Sequence, residues 1–484
     1  MLGENEKKNR SIASGLFWSF LERIGAQGVS FIVSIVLARI LIPEDYGVVA
    51  IVQIFITFAN AITTTGLNAA IIQKKDVSKE DDSSAFVLNM ILGIGLYIVI
   101  FLFAPVIAQL YHLDLICPVL RVLGIRIPIS AFNAMQRAYV SRKMEFKKFF
   151  YSTFGGTVVS AFVGIYLALK GFGCWALVFQ YLTNTAIDTI ILLITVEWRP
   201  SFNVSLKSMK NMLDFGWKIL AGSLISEIYL ELRNIVIGWK YSSTDLAYYK
   251  RGQQFPALFL TNITSALGSV MFPALSKEQD EFDSLKNKTR KSVRCCIFIM
   301  APLMFGMAAV AKAMVLLILT DKWEGCIPYL IMYCISYAVL PISTLSEQAY
   351  KALGLGNVLL WTQCISKGLG IVFILITIPF GVYWIGVGMV ISTYMTLVLY
   401  LVVNARYIRY SIKEQIKDLG PTLIIAIIMA VVVYMISFLV DDCILLLIIQ
   451  LLFGILIYIG LSWYYKIEAL EDYLILFRKI GNKK

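Results

Sequence analysis

The stretch PTLIIAIIMAVVVYMISFLV, residues 421–440, contains no charged side chain. An α-helix needs about 20 consecutive apolar residues to cross the hydrocarbon core of a bilayer. The run is continuous, whereas the strands of a membrane β-barrel alternate apolar and polar residues. The stretch therefore predicts a transmembrane α-helix rather than a barrel strand.

Similar stretches recur from residue 12 to residue 465. Of the 484 residues, 59% are hydrophobic and 15% are charged, whereas soluble domains are about 45–50% apolar and about 25% charged. We therefore predict an all-α integral membrane protein with about 14 transmembrane helices. The predicted spans cover approximately residues 12–40, 47–70, 84–111, 116–139, 147–170, 173–196, 211–239, 249–274, 292–319, 327–352, 357–379, 383–409, 419–440 and 443–465.

Several classes of protein do not fit this composition. The net charge of +12 does not indicate a nucleic-acid partner, because the bases lie in short loops between apolar runs. His112 is the only histidine, and none of the eight cysteines forms a CxxC pair, so no metal site is expected. A GxxxxGK[ST] phosphate loop is missing from the sequence, so we expect no built-in ATPase.

The lysines and arginines indicate the orientation. Of the 43, 30 fall on one side of the predicted membrane, seven on the other, and six inside spans. Cytoplasmic loops carry an excess of these residues. We therefore predict that both termini are cytoplasmic and that the number of spans is even.

A weak internal repeat suggests two halves. At an offset of 200, six positions of spans one and two match spans seven and eight, among them Asp45 with Asp245. Six spans per half give a parallel repeat, whose axis runs along the membrane normal. We predict two six-helix lobes around a central cleft, plus two C-terminal helices. The predicted limits are 1–196 for the N-lobe, 197–210 for a cytoplasmic linker, 211–410 for the C-lobe, and 411–484 for helices 13–14 and the tail.

Four segments resemble those of a known family. They are LARILIPEDYGVVAIVQIF (37–55), GLNAAIIQ (66–73), AMQRAYVSRKMEFKKF (134–149) and LAYYKRGQQFPALFLTNITSALGSVMFPALSK (246–277). In order and spacing they are similar to segments of bacterial polysaccharide flippases, the Wzx-like transporters of the multidrug/oligosaccharidyl-lipid/polysaccharide (MOP) exporter superfamily. The resemblance covers nearly the whole chain.

This resemblance implies a transporter rather than an enzyme. The implied substrate is an oligosaccharide repeat unit on undecaprenyl pyrophosphate, flipped from the cytoplasmic to the outer leaflet by alternating access. The implied pathway is the synthesis of a polysaccharide such as the O-antigen of lipopolysaccharide. The implied location is the bacterial cytoplasmic (inner) membrane, with membrane lipids and other polysaccharide assembly proteins as partners.

Two other functions also fit a membrane protein with many transmembrane helices. An ion-coupled multidrug or small-molecule antiporter of the same superfamily predicts an aromatic cleft with one or two acids and few bases. The mixed charges described below argue against it. A membrane-embedded glycan polymerase or ligase predicts a long external loop with catalytic residues, but every outer loop here is shorter than about 15 residues.

Charged residues inside span one are candidates for substrate contact. A charge at the bilayer centre costs about 2.5–3.5 kcal/mol or more, so such residues suggest function. Span one carries Glu22 and Arg23, with Gln27 one turn further on. Arg23 and Gln27 are predicted to contact the substrate, since arginine binds phosphate bidentately. The alternative for Arg23 is a salt bridge between the lobes, and Glu22 is a candidate for ion coupling.

Span seven carries a second charged set, comprising Lys218, Glu227, Glu231 and Arg233. The two glutamates are four residues apart and share one helix face. Nearby carboxylates raise each other's pKa, so the pair could couple transport to an H⁺ or Na⁺ gradient without any other cofactor. The alternatives are pairing with bases across the cleft and hydrogen bonding to the glycan. Lys218 and Arg233 are predicted to line the cleft.

Span eight begins with aromatic, basic and amide side chains. Tyr249, Arg251, Gln253 and Gln254 are predicted to contact the substrate, because rings suit sugar faces and cations suit phosphate oxygens. A plain interfacial belt of aromatic residues is the alternative.

Span four carries Arg121 and Arg126 near its outer half, and Arg137 and Arg142 at its cytoplasmic end. The last two serve either as topology signals or as the first phosphate contacts on the cytoplasmic side.

Five prolines fall within spans or at their ends, and such prolines bend transport helices. They are Pro105, Pro128, Pro256, Pro302 and Pro341.

Overall fold

The computed structural model describes residues 18, 25–73, 78–199, 204–278, 281–440 and 442–481. Regular structure in these ranges is helical, without any strand. Eleven helical segments of this described part are long and apolar enough to cross a membrane. The prediction of an all-α, multi-pass membrane protein is confirmed.

The chain divides into two compact units, residues 1–247 and 248–484. The helices of the first unit are α1 (Gly25–Ile40), α2 (Pro43–Gln73), α3 (Lys79–Leu110), α4 (Ile116–Gly124), α5 (Arg126–Lys143), α6 (Phe146–Leu169), α7 (Cys174–Thr195) and α8 (Leu206–Lys240). Helix α9 (Ser243–Ser276) contains the boundary. The predicted limits of the lobes and the predicted cleft stay predictions.

The second unit contains nine further α-helices among its described residues, together with short 3₁₀ turns at Asp321–Cys326 and Ile378–Phe380. The helices are α10 (Phe282–Ala309), α11 (Ala311–Ile318), α12 (Ile327–Tyr337), α13 (Leu340–Ala352), α14 (Gly356–Thr377), α15 (Val382–Tyr407), α16 (Ile412–Ile436), α17 (Cys443–Tyr464) and α18 (Glu468–Gly481).

All fourteen predicted spans overlap a described helix, but the count of fourteen stays a prediction. The eleven qualifying segments do not include α1, α8 or α9. The described part of α1 is short, and α8 and α9 are rich in charged and polar side chains.

Helices α6 and α7 pack closely along a seam of small residues. Ser152, Gly156, Ser160 and Gly164 recur every fourth position of α6 and are all buried. A Cβ atom added to Gly156 would lie 2.9 Å from the backbone oxygen of Asn184 on α7. Small residues at this spacing let helix backbones approach one another in a membrane, where van der Waals packing drives association.

Two helices begin at a reciprocal cap. The Ser78 hydroxyl accepts from the backbone N–H of Asp81, whose carboxylate accepts from the backbone N–H of Ser78, at 3.1 and 2.9 Å. Ser411 and Glu414 form the same arrangement before α16. Each cap satisfies two N–H groups that have no partner within the helix, so it fixes where the helix starts.

The fourth and tenth predicted spans are both broken in the middle. Helix α4 ends at Gly124 and α12 ends at Tyr337, each four residues before a proline, Pro128 and Pro341. Proline has no N–H and cannot donate to the carbonyl four residues earlier. Irregular backbone at membrane depth is tolerated only where protein buries it or where it lines a water-filled cavity.

The C-terminal helix α18 is attached to α10 by charges. Lys291 Nζ lies 2.6 Å from Asp472 Oδ1, and Arg294 forms an ion pair with Glu468. The Tyr473 hydroxyl donates to a backbone carbonyl of α10 at 3.1 Å. Burial raises the pKa of Tyr473 further above neutral pH.

Candidate substrate-contact residues

The predicted site residues of spans one and seven are only partly described. Glu22 and Arg23 lie outside the described residues, as does the side chain of Lys218. Gln27 lies on α1, where it is half-buried, and Arg233 is half-buried on α8.

The two glutamates of α8 are both half-buried. Glu227 and Glu231 lie one turn apart, as the spacing predicts. The buried amide of Asn234 donates from Nδ2 to Glu231 Oε2 at 2.7 Å. Asn234 therefore belongs to the same polar face, although its sequence position had not marked it as a site residue.

The bases Arg137 and Arg142, in the C-terminal half of α5, are both paired with carboxylates. Arg137 Nη2 lies 2.8 Å from Asp188 Oδ2 on α7, and the same oxygen accepts from Asn133 Nδ2 at 2.7 Å. Arg142 Nη1 lies 3.4 Å from Asp82 Oδ1 on α3. The two arginines therefore tie α5 to its neighbours, whatever further contact they make with a substrate.

In the second unit, Arg251 is held by an aromatic ring and an amide. Its side chain is buried, its guanidinium carbon lies 4.5 Å from the centroid of the Trp323 ring, and Nη1 donates to Gln254 Oε1 at 2.5 Å. A cation over a tryptophan face is attracted by the ring quadrupole. In this conformation Arg251 contacts Trp323 and Gln254, and its predicted contact with a substrate stays a prediction.

Helix α9 approaches α12 closely beside this cluster. Gly252 permits the approach, because a Cβ atom there would lie 2.7 Å from the backbone nitrogen of Leu330. The buried Tyr249 ring packs against Tyr329 and Tyr333, with centroids 5.5 and 5.3 Å apart.

Gln253 extends this aromatic wall with a polar contact, donating from Nε2 to the Tyr337 hydroxyl at 3.0 Å. The four predicted residues of span eight thus lie together in one aromatic and amide cluster.

Sequence reasoning missed Asp188 and the tyrosines of α12. Asp188 is the only acid in the apolar run 173–196, so the cost of a charge at membrane depth could have marked it. The tyrosines give no comparable signal. No group of three or more His, Cys, Asp or Glu in the described part of the chain is placed to hold a metal ion.

Comparison with known proteins gives a consistent result. The family described as "Polysaccharide biosynthesis protein" matches residues 36–328, more than half of the chain. The chain is 25% identical over 353 residues to the succinoglycan biosynthesis transport protein ExoT of Rhizobium meliloti (strain 1021), covering 73% of this chain and 71% of that protein. It is 24% identical to the lipopolysaccharide biosynthesis protein WzxC of Escherichia coli (strain K12), covering 66% of each.

The fold is similar to that of the lipid II flippase MurJ in its inward closed conformation. The TM-score is 0.75 at 16% sequence identity, over 94% of this chain and 99% of that chain. At this identity, the likeness concerns the fold alone.

Proposed function

The chain belongs to this family of polysaccharide biosynthesis proteins, and from that premise we propose that it flips a lipid-linked oligosaccharide across a membrane. The observation that carries the proposal is the family match over residues 36–328. It is supported by the names of the relatives, a transport protein and a lipopolysaccharide biosynthesis protein, and by a fold like that of a lipid II flippase.

The chemistry of the polar side chains fits such a substrate. A polyisoprenoid-linked glycan has an anionic phosphate group and a polar sugar chain, both of which need partners at membrane depth. The first unit carries the cations Arg126 and Arg137 inside a span, and the second unit carries the amide and aromatic cluster around Gln253. Cations suit phosphate, and rings and amides suit sugars.

Deletion of the gene followed by analysis of cellular lipids tests this function. We expect undecaprenyl-linked repeat units to accumulate, and to be cleared when the wild-type gene is returned. Unchanged lipid-linked glycans together with unchanged surface polysaccharide would reject the proposal. Accumulation of an exported small molecule instead would favour the antiporter.

We further propose the bacterial cytoplasmic membrane as its location, with both termini cytoplasmic and with other polysaccharide assembly proteins nearby. The distribution of lysines and arginines supports this orientation. Asp283→Cys, at an exposed position, should resist a membrane-impermeant thiol reagent in intact cells, whereas Leu439→Cys should react. Labelling by the wild-type cysteines is the baseline, and the reverse pattern would overturn the orientation.

Coupling to an ion gradient is proposed for the acids of α8. Glu227 and Glu231 are half-buried on one face, so binding H⁺ or Na⁺ there would offset the cost of two nearby charges. Glu227→Gln with Glu231→Gln should leave substrate binding intact and make flipping in proteoliposomes independent of the gradient. Gradient-dependent flipping by the double variant would reject these acids as the coupling site.

A further inference from the structure

Arg126 is the first residue after the break in the fourth span. Helix α4 ends at Gly124, and α5 starts at Arg126. Ten residues separate Arg126 from the outer end of the span at Ile116, which at about 1.5 Å per residue places it roughly 15 Å deep. That depth is near the middle of a hydrocarbon core about 30 Å thick.

One edge of the Arg126 guanidinium is held in place. Its Nε donates to the Thr185 hydroxyl at 2.7 Å, and that hydroxyl donates to the Tyr181 carbonyl at 3.1 Å. The guanidinium carbon lies 5.5 Å from the centroid of the Tyr181 ring. An arginine has five N–H donors, so four remain on the two terminal nitrogens.

No carboxylate among the described residues forms an ion pair with Arg126, whereas Arg137 and Arg142 of the same span are both paired with one. Arg121 stacks over Phe101 at 4.4 Å and donates from Nε to its carbonyl at 3.3 Å. Arg126 therefore combines a fixed orientation and a mid-span position with a positive charge that no carboxylate of the described residues compensates.

The backbone around Arg126 supports a role in binding. Pro128 interrupts this span, and Pro341 interrupts the span six places later. In transporters built from repeats, interrupted helices at corresponding positions of the two halves are the best sequence-level pointer to a substrate site. A charge that stays unpaired at this depth is expensive, whereas an anionic ligand bound there compensates it.

We propose that Arg126 binds a phosphate group of the lipid carrier through its two terminal nitrogens, as a contact within the first unit. Planar guanidinium groups bind phosphate oxygens bidentately. This inference rests on the proposed function and adds a specific residue to it. Ordinary phospholipid headgroups share the phosphate chemistry, so the test separates the two sources.

The test uses the full-length protein in phosphatidylcholine nanodiscs, with undecaprenyl pyrophosphate as the probe and native mass spectrometry as the readout. We expect Arg126→Gln to weaken its affinity about tenfold to a hundredfold, because a charge-assisted contact is lost. The affinity of Arg126→Lys should lie between those of the wild type and Arg126→Gln, since lysine offers a point charge without the planar fork of arginine. Arg121→Gln, the matched control on the same span, should bind within about twofold of the wild type.

Undecaprenol and phosphatidylglycerol serve as companion probes. Undecaprenol has no phosphate, so its binding should be equal in the wild type and Arg126→Gln. If Arg126→Gln binds undecaprenol and undecaprenyl pyrophosphate with an equal loss of affinity, Arg126 has a purely structural role and the proposal is overturned. Phosphatidylglycerol binding that falls as much as undecaprenyl pyrophosphate binding would make a headgroup the ligand, which also overturns it.

The wild type distinguishes the two levels of failure. If it shows no preference for undecaprenyl pyrophosphate over phosphatidylglycerol, the proposed function fails. If it shows that preference and Arg126→Gln keeps it undiminished, the function stands and the assignment of Arg126 alone fails.

Discussion

The broken span of the first unit and the broken span of the second share a backbone device but differ in side chains. Each helix stops four residues before a proline, at Gly124 and at Tyr337. In the first unit the next segment starts with a charge, Arg126. In the second unit the break at Ala338 and Val339 is apolar and buried, and the hydroxyl beside it, on Tyr337, accepts from an amide.

The two units therefore place different side chains beside the same kind of break. The break leaves a carbonyl without its helical donor, but it does not determine which ligand is contacted. The side chains beside the break do: a fixed cation suits phosphate, and a tyrosine with an amide suits hydroxyl groups.

The largest effect should come from giving the second break the charge of the first. Val339 is 2% exposed, so Val339→Arg would bury an unpaired cation and cost about 3 kcal/mol or more. We expect little protein in the membrane and a strongly lowered thermal denaturation midpoint. Arg126→Leu, the reciprocal change, should accumulate normally, because it removes a buried charge. A well-folded Val339→Arg would mean that the two breaks are equivalent.

Removal of Asp188 should have the next largest effect, because it leaves Arg137 and Asn133 of the first broken span without their acceptor. Loss of one partner of a fully buried pair costs about 3–5 kcal/mol. The Arg137 side chain is 43% exposed, so we expect about 2–3 kcal/mol for Asp188→Ala. Asp188→Asn should lose less, since an oxygen acceptor remains. Both losses are measured as thermal denaturation midpoints in the same detergent. A midpoint for Asp188→Ala equal to that of the wild type would contradict the pairing of Asp188 with Arg137.

Tyr337→Phe should weaken the neutral contact of the second broken span by about 1 kcal/mol, the typical net value of one hydrogen bond. A double-mutant cycle with Gln253→Leu isolates the pair. We expect a coupling energy of about 1 kcal/mol between the two positions. Strict additivity would show that the 3.0 Å contact contributes nothing.

The smallest effect should come from a charge outside the spans. Hydrogen bonds from Lys288 and Ser284 lower the pKa of Glu278. These hydrogen bonds stabilise the fold only while the carboxylate is ionised. This contribution is present above the usual pKa of a glutamate and is lost as the pH falls through its lowered value. Glu278→Gln should therefore lower the midpoint slightly at neutral pH and not at all in acid. A difference that grows on acidification would contradict the assigned sign.

Much of the fold could be predicted from apolar run length alone. Several helices begin before the apolar span that the sequence predicts. Spans eight and thirteen were expected to begin near 249 and 419, but the helices begin at Ser243 and Ile412. Their first turns are polar and are held by caps such as Ser411, which hydropathy does not detect.

The candidate site was harder to predict, because partners depend on which helices touch. The sequence marked Arg137 and Arg251 as candidate site residues. It could not foresee that one would meet a carboxylate on α7 and the other a ring in a 3₁₀ turn, Asp188 and Trp323. Such contacts arise from tertiary packing, and the residue spacing within one helix does not predict them.

The attachment of α18 to α10 has a consequence for the order of synthesis. The ribosome makes α10 first. Some 170 further residues are translated before Glu468 and Asp472 exist as partners for the two cations of α10. A chain that stops after α17 would leave both cations without these two acids. Helix α18 therefore compensates these two cations of α10 only after it has been translated and packed against α10.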